Sequence, residues 1–483
     1  MRRLPTCAAM VLLASCTVGP NYTRPTVPLP GRYAEAVTSS GVRDPQLAHW
    51  WTRFEDPLLD QLIDRALAQN LDVEAAAARI REARAREVVA GAAALPEVDA
   101  QTSASRQRIS EHAIPIPPGA GGGPASFGLP GTEFSTFHVG FDASWELDLF
   151  GRTRRSVEAA QARTGAAIWD RRDLQVSAAA EVANAYFRLR ELQARLEIAA
   201  AELGRHERFE QLVRAQARGG LVSGQDLEQQ RTERAAAAAE IPQLKAEADA
   251  QVHALGVLTG ETPGSLKTAL SQPTPIPARF APIPAGLPSE LLRRRPDVRR
   301  AERELAASTA DIGVAVADLY PRFSLTAAPA LVSTALATLL EWGSRNYTYA
   351  AALDWPIFNG HRTRANIEVA NARQSEALVA YRKAILRALQ DVEDALSRTE
   401  ADRRQLADLD EGLTTARRAE SIARTRYAGG LVTFSDVLLA QARRLQLEDQ
   451  VSQTKGALAR DTAALFKALG GGWPELKQQG TTL

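Results

Sequence analysis

Between Phe137 and Asp148 the chain alternates without a break. Phe137, Val139, Phe141, Ala143, Trp145 and Leu147 hold the odd positions; His138, Gly140, Asp142, Ser144, Glu146 and Asp148 hold the even ones. A period of two puts the first set on one face of a strand and the second on the other. About twelve residues suffice to cross an outer membrane as a tilted strand. Tyr347, Tyr349, Ala351, Leu353 and Trp355 repeat the pattern against Thr348, Ala350, Ala352 and Asp354. Weaker alternation follows Pro96, at Val98 to Ser105, and Pro321, at Phe323 to Leu331. Four strands cannot close a barrel, since the smallest needs about eight. An open sheet edge in lipid is not viable either. Several copies must therefore share one barrel; three would supply twelve strands, an even number as in bacterial outer-membrane barrels. The polar positions would face a water-filled lumen.

The two strong strands end on nearly the same words, "WELDLFGRTRR" at Trp145 to Arg155 and "WPIFNGHRTRA" at Trp355 to Ala365. Trp145 and Trp355 sit where an aromatic membrane belt belongs. Gly151 and Gly360 permit a sharp turn from strand to helix. Arg152, Arg154, Arg362 and Arg364 then enter water. Proline-free runs follow, at 152–218 and 362–428. At 1.5 Å per residue each would be a helix roughly 100 Å long. Both end in similar tips, "RGGLVSGQDL" and "YAGGLVTFSDVL", with Gly220 and Gly430 (430 − 220) and Asp226 and Asp436 (436 − 226) each 210 positions apart. Return helices are expected over 225–259 and 434–469, the first kinked at Pro242. Helical patterns at 58–94, interrupted at Asn70, and at 296–320 precede the strands. The chain thus divides into an extended segment 16–57, repeats 58–285 and 286–470, and a tail 471–483. The strands fall near 97–108, 134–148, 322–332 and 346–357, and a Gly/Pro-rich loop at Pro115 to Gly131 joins the first two.

Arg2 and Arg3 followed by apolar Ala8 to Leu13 read as a signal segment, 1–15, too short to span a bilayer. Leu13-Ala14-Ser15-Cys16 resembles a bacterial lipobox, which would make Cys16 the lipidated first residue of the mature chain; a plain signal segment with an incidental Cys is the other reading. Cys7 would leave with the signal, so no disulfide is possible. A lipid alone anchors weakly, and the barrel would be the second attachment. The net charge of +1 gives no basic field for nucleic acid. The six histidines, His49, His112, His138, His206, His253 and His361, have no metal-ligand spacing, and no phosphate loop or nucleophile elbow is present. Neither an enzyme nor a cofactor or metal site is expected. The only methionines are Met1 and Met10, in the signal segment, which leaves no thioether path for copper. A coiled-coil structural protein would share the long helices but not the amphipathic strands.

"CTVGPNYTRP", "WELDLFGRTRR", "RRRPDVRRAE", "GGLVTFSDVL" and "LFKALGGGW", in that order over nearly the whole chain, resemble the TolC-like outer membrane factors of tripartite efflux pumps. The lipoprotein branch, NodT-type or OprM-like, is the most similar. The resemblance implies an α+β membrane protein with an internal two-fold repeat. A trimeric 12-stranded outer-membrane β-barrel, four strands per chain, would continue into a long periplasmic α-helical barrel. It also implies a passive gated conduit for drugs and toxic compounds, docked to a periplasmic adaptor and an inner-membrane pump of the RND type. Metal-ion export and type I protein secretion are alternatives with the same fold. Gly220, Leu221, Val222, Ser223, Gly430, Leu431, Val432 and Thr433 would be the docking tips. By the family's pattern Tyr427 would bond Asp226 as a latch. Val432 and Leu439 replace the family's Arg and second Asp, so closure would rely on hydrophobic contact, with Asp436 lining the entrance and Arg424 supplying a different ion pair. The other reading of Asp226 is an ordinary helix cap. His361 stands where the family commonly has a second glycine.

Overall fold

The computed structural model describes residues 17–35, 47–108, 133–276 and 286–473. Cys16, the signal segment, the loop at 115–131 and the tail beyond Trp473 lie outside them. The elements are α1 (Pro57–Gln69), α2 (Leu71–Ala92), β1 (Glu97–Arg108), β2 (Glu133–Leu147), α3 (Arg152–Arg218) and α4 (Gly224–Leu258), then α5 (Pro288–Arg294), α6 (Pro296–Ala317), β3 (Arg322–Ser333), β4 (Arg345–Asp354), α7 (Arg362–Ala428) and α8 (Phe434–Ala468). Two compact units result, one from 1–24, 81–165 and 303–379, the other from 25–80, 166–302 and 380–483.

The first unit contains an antiparallel sheet in the order β1-β2-β3-β4. Its register puts Ala143 opposite Ala327, Trp145 opposite Leu325 and Val139 opposite Leu331. Leu325 and Ala327 in turn face Ala351 and Tyr349. One face is therefore apolar across three strands, while the other carries Asp99, Asp142, His138 and Asp354. Phe141, Tyr347, Tyr349 and Leu353 are all exposed on the apolar face, and so large an apolar surface needs an apolar environment. Among the described residues, no strand pairs with the outer edges of β1 and β4. The strand expected to run to 357 stops at Asp354, because Pro356 has no N–H to give the ladder.

The second unit is built from helices around an aromatic core. Pro57 at the first turn of α1 is fixed in a helical φ, and Asp56 caps it, accepting from the N–H of Leu58 at 3.0 Å. The Tyr186 hydroxyl donates to the other Asp56 oxygen. Trp50 stacks on Phe466 at 5.4 Å, and Phe54 meets Phe187 at 4.7 Å. Leu59, Leu62, Ile63 and Ala66, on one stripe of α1, are buried. Beyond Leu469, Gly470 and Gly472 take positive φ values of 77° and 106°. That turn lays Trp473 edge-on against Trp169, with the Arg172 guanidinium 4.2 and 4.7 Å from the two rings.

Each pair α3–α4 and α7–α8 forms a helical hairpin. In the second, Leu406, Leu413, Leu447, Val451 and Leu458 form a buried seam with the four- and seven-residue spacing of packed helices. α4 is one helix through Pro242, which the expected kink does not divide. Farther along the α7–α8 pair, burial and the neighbouring Asp461 carboxylate push the Asp402 carboxyl up to about 6. A free aspartate titrates near ~3.9. Between about pH 4 and 6 the folded chain therefore keeps a proton that the unfolded chain has lost. Stability from this group is fully present below about pH 4 and is lost as pH rises through about 6. Asp402→Asn should therefore melt above the unsubstituted protein at pH 8, with the gap closing by about pH 4; thermal unfolding across that range checks it, and a gap independent of pH would refute it.

Candidate functional site: hairpin tips and strand exits

At the first tip α3 closes on Gly220, whose φ of +70° is open to glycine at little cost. The N–H of Leu221 donates to the Gln216 carbonyl at 2.9 Å and that of Gly220 to Ala217 at 3.1 Å, which satisfies the last carbonyls of the helix. The second tip repeats this at Gly430, with Leu431 N–H on Arg426 and Gly430 N–H on Tyr427, both at 2.9 Å. Ser223 and Thr433 then cap the return helices. Asp226 Oδ2 accepts from the N–H and hydroxyl of Ser223 at 2.9 and 2.8 Å. Asp436 Oδ2 accepts from those of Thr433 at 2.8 and 2.7 Å. These bonds from Thr433 hold the Asp436 carboxyl below its ordinary range. The hairpin turn thus projects Leu221 and Leu431, 78% and 71% exposed, while Val222 and Val432 are half-buried.

The structure does not join the two residues of the expected latch within the chain. Asp226 serves its own helix as a cap, and the Tyr427 ring packs on Phe434 at 5.1 Å. Phe434 also meets Phe209 of α3 at 5.4 Å, so this aromatic trio connects the two hairpins. Neither phenylalanine was a candidate in the sequence. The available signal was that the repeat breaks there, with Gly224 and Ala419 at the matching positions.

Arg424 forms an ion pair, but with Glu420 one turn earlier on the same helix. Glu420 is 6% exposed and is also reached by Arg444 of α8 at 2.5 Å. The first hairpin has a matching clasp 210 positions earlier (420 − 210): Glu210, 7% exposed, pairs with Arg214 of its own helix and with Arg234 of α4 at 2.8 Å, and Arg231 of α4 adds a third cation at 3.6 Å. A buried carboxylate between two helices is stable only while its cations remain. The sequence carried this signal in its 210-residue spacing.

At the strand exits the two tryptophans do matching work. Trp145 Nε1–H donates to the Ala94 carbonyl before β1, and Trp355 Nε1–H to the Leu319 carbonyl before β3, each at 3.0 Å. Each ties the end of an outgoing strand to the start of the incoming one and leaves its ring partly exposed, at 37% and 54%. Gly151 and Gly360 turn the chain with φ of +83° and +61°. Arg154 folds back over the first turn, its backbone N–H on Asp148 Oδ2 at 3.0 Å. His361 follows Gly360 with φ of +66°, a left-handed conformation that its Cβ opposes. Among the described residues no group of His, Cys, Asp and Glu could hold a metal ion.

The family model described as outer membrane efflux protein matches residues 62–261 and 287–471. Over 99% of the chain, the sequence is 34% identical to the pyoverdine export outer membrane protein OpmQ of Pseudomonas aeruginosa, 98% of which is covered. It is 30% identical to the cation efflux system protein CusC of Escherichia coli, over 98% of this chain and 99% of that one. The solved structure of the outer-membrane channel OprN superposes with a TM-score of 0.85 at 34% identity, covering 95% of this chain and all of that one.

Two substitutions test the local energetics. His361→Gly should stabilise the protein by about 1 kcal/mol in chemical unfolding, by relieving the left-handed residue; a loss of stability would mean that the imidazole holds the turn. Glu420→Gln should speed amide exchange in the second hairpin about tenfold, roughly 1–2 kcal/mol once the exposure of Arg424 is allowed for. Unchanged exchange there would remove the clasp.

Proposed function

From the premise that this chain belongs to the outer membrane efflux protein family, we propose that three copies of it form one duct through the outer membrane for an RND-type pump. It is an outer-membrane efflux channel component of tripartite pumps, and not an enzyme. The observation that carries the trimer is the sheet: four strands, an apolar face and two unpaired edges. The edges of β1 and β4 can be satisfied together only if β4 of one copy pairs with β1 of the next. Three copies close twelve strands, with the apolar face outward in lipid and the face of Asp99, Asp142 and Asp354 around water. The exposed rings of Trp145 and Trp355 lie at the periplasmic rim. Cys16 carries the lipid, one residue before the first described position.

Six helical hairpins of such a trimer present Leu221 and Leu431 to a periplasmic adaptor, whose energy-coupled inner-membrane partner selects the cargo. Small organic and toxic molecules are the cargo we favour. The pyoverdine exporter is 34% identical and the cation exporter 30%, so a common duct serves different cargoes and its wall need not read them. Asp226 and Asp436 hold the tips as caps, and the gate closes on the apolar and aromatic groups Val432, Tyr427 and Phe434.

A photo-reactive residue at Leu221 or Leu431 tests this in whole cells, leaving the capping Ser223 and Thr433 intact. The expected result is capture of a membrane-fusion-type adaptor at both tips. Correctly localised trimer that captures no adaptor from either position would leave a stand-alone pore as the better account.

A further inference from the structure

The duplicated strand exits differ at one position that is occupied by a buried charge. Arg155 closes the first motif, and Ala365 stands at the matching place in the second, 210 positions on (365 − 155). Arg155 is 3% exposed, whereas Ala365 is exposed. Its guanidinium is taken up by the chain's own N-terminal segment. Nε donates to the Val18 carbonyl at 3.1 Å, and one Nη donates to the Gly19 carbonyl at 3.3 Å and Asn21 Oδ1 at 2.7 Å. The other Nη donates to Glu158 at 2.7 Å. From the opposite side the Val18 N–H donates to the Phe150 carbonyl at 3.1 Å.

Glycines make this seat close-fitting. A Cβ on Gly19 would lie 2.5 Å from Gly313 Cα, one on Gly313 would lie 2.7 Å from the Arg155 side chain, and one on Gly151 would lie 2.9 Å from Thr17 Cα. The dependence is mutual. A buried guanidinium is tolerable only when its donors are met, and residues 18–21 supply three of the four acceptors. Without Arg155 the segment would lose three hydrogen bonds and keep the backbone bond from Val18 to Phe150.

We infer that Arg155 is the positioning residue of the N-terminal attachment: it seats residues 17–21 against the first strand exit, so that a lipid on Cys16 enters the membrane at a fixed place beside β2. Cys16 is one peptide, about 3.8 Å between Cα atoms, from Thr17. The described chain thus starts, at Thr17, against the turn where β2 gives way to α3. The lipid part of this inference rests on the anchor reading above; the seating of residues 17–21 does not.

Hydrogen exchange read by mass spectrometry on the purified full-length protein tests the seating. In Arg155→Ala the amides of residues 18–24 should exchange about tenfold faster or more, with β2, β3 and α3 beyond its first turns unchanged. Arg155→Lys places one ammonium where a fork spanned three acceptors, and should recover less than half of the lost protection. Should the alanine variant fail to fold, Asn21→Ala keeps the guanidinium and removes one acceptor, with about threefold faster exchange expected in the same amides. Unchanged exchange in residues 18–24, full recovery by lysine, or equal loosening of the whole unit would each overturn the inference. The intact mass of the unsubstituted protein separates the two readings, since a mature chain without acyl groups on Cys16 defeats the anchor while leaving the seating to its own result.

Discussion

The first unit turns on the outer edges of β1 and β4, which no strand among the described residues pairs. The sheet is amphipathic across its strands, and its apolar face is exposed. In water that face would drive aggregation; in lipid the unpaired N–H and C=O groups along β1 and β4 would be costly. Edge-to-edge joining with further copies, as proposed above, would meet both demands. The two indole bonds tie the ends of β2 and β4 to the starts of β1 and β3. Register matters, because a slip of one residue would turn Phe141 and Trp145 to the water side and Asp142 to the lipid side.

The second unit shows how a duplicated sequence can keep a scaffold and vary its surface. Both hairpins share the glycine turn, the reciprocal cap and a buried glutamate held by arginines of both helices. The hairpins differ where they meet one another. Phe434 replaces the glycine of the first repeat and inserts its ring between Tyr427 and Phe209. A symmetric pair of hairpins would have no such wedge, so the asymmetry defines which hairpin leans on which.

Much of this was readable from residue order. The period-two strands, the proline-free helices and the paired glycine tips are local signals, and the structure has them within a few residues of the expected positions. A capping role was one of two readings that the sequence left open for Asp226. What could not be read depends on contacts between segments distant in sequence. The Tyr427 ring has a partner on the following helix and, through Phe434, another 218 residues earlier at Phe209 (427 − 209). Trp145 was legible as an interfacial aromatic, yet its indole bond to Ala94 depends on how the chain crosses at the base of the sheet. His361 was recognised as a departure from glycine, but its left-handed backbone is visible only in the fold.

The aromatic core of the second unit also constrains the order of events in the life of the chain. Trp50 stacks on Phe466, and the N–H of Gly472 donates to the Leu47 carbonyl at 2.9 Å. Segments from opposite ends of the polypeptide are thus one piece of core. A secreted chain emerges from its N-terminus, so Trp50 reaches the far side of the membrane hundreds of residues before its stacking partner. Contacts of such separation form late, because the intervening chain must lose its freedom first. The ring surfaces of Trp50, Trp51 and Phe54 must wait through export in a state that exposes them. Safe delivery of this protein therefore depends on whatever shields that early segment until the final turn of α8 arrives.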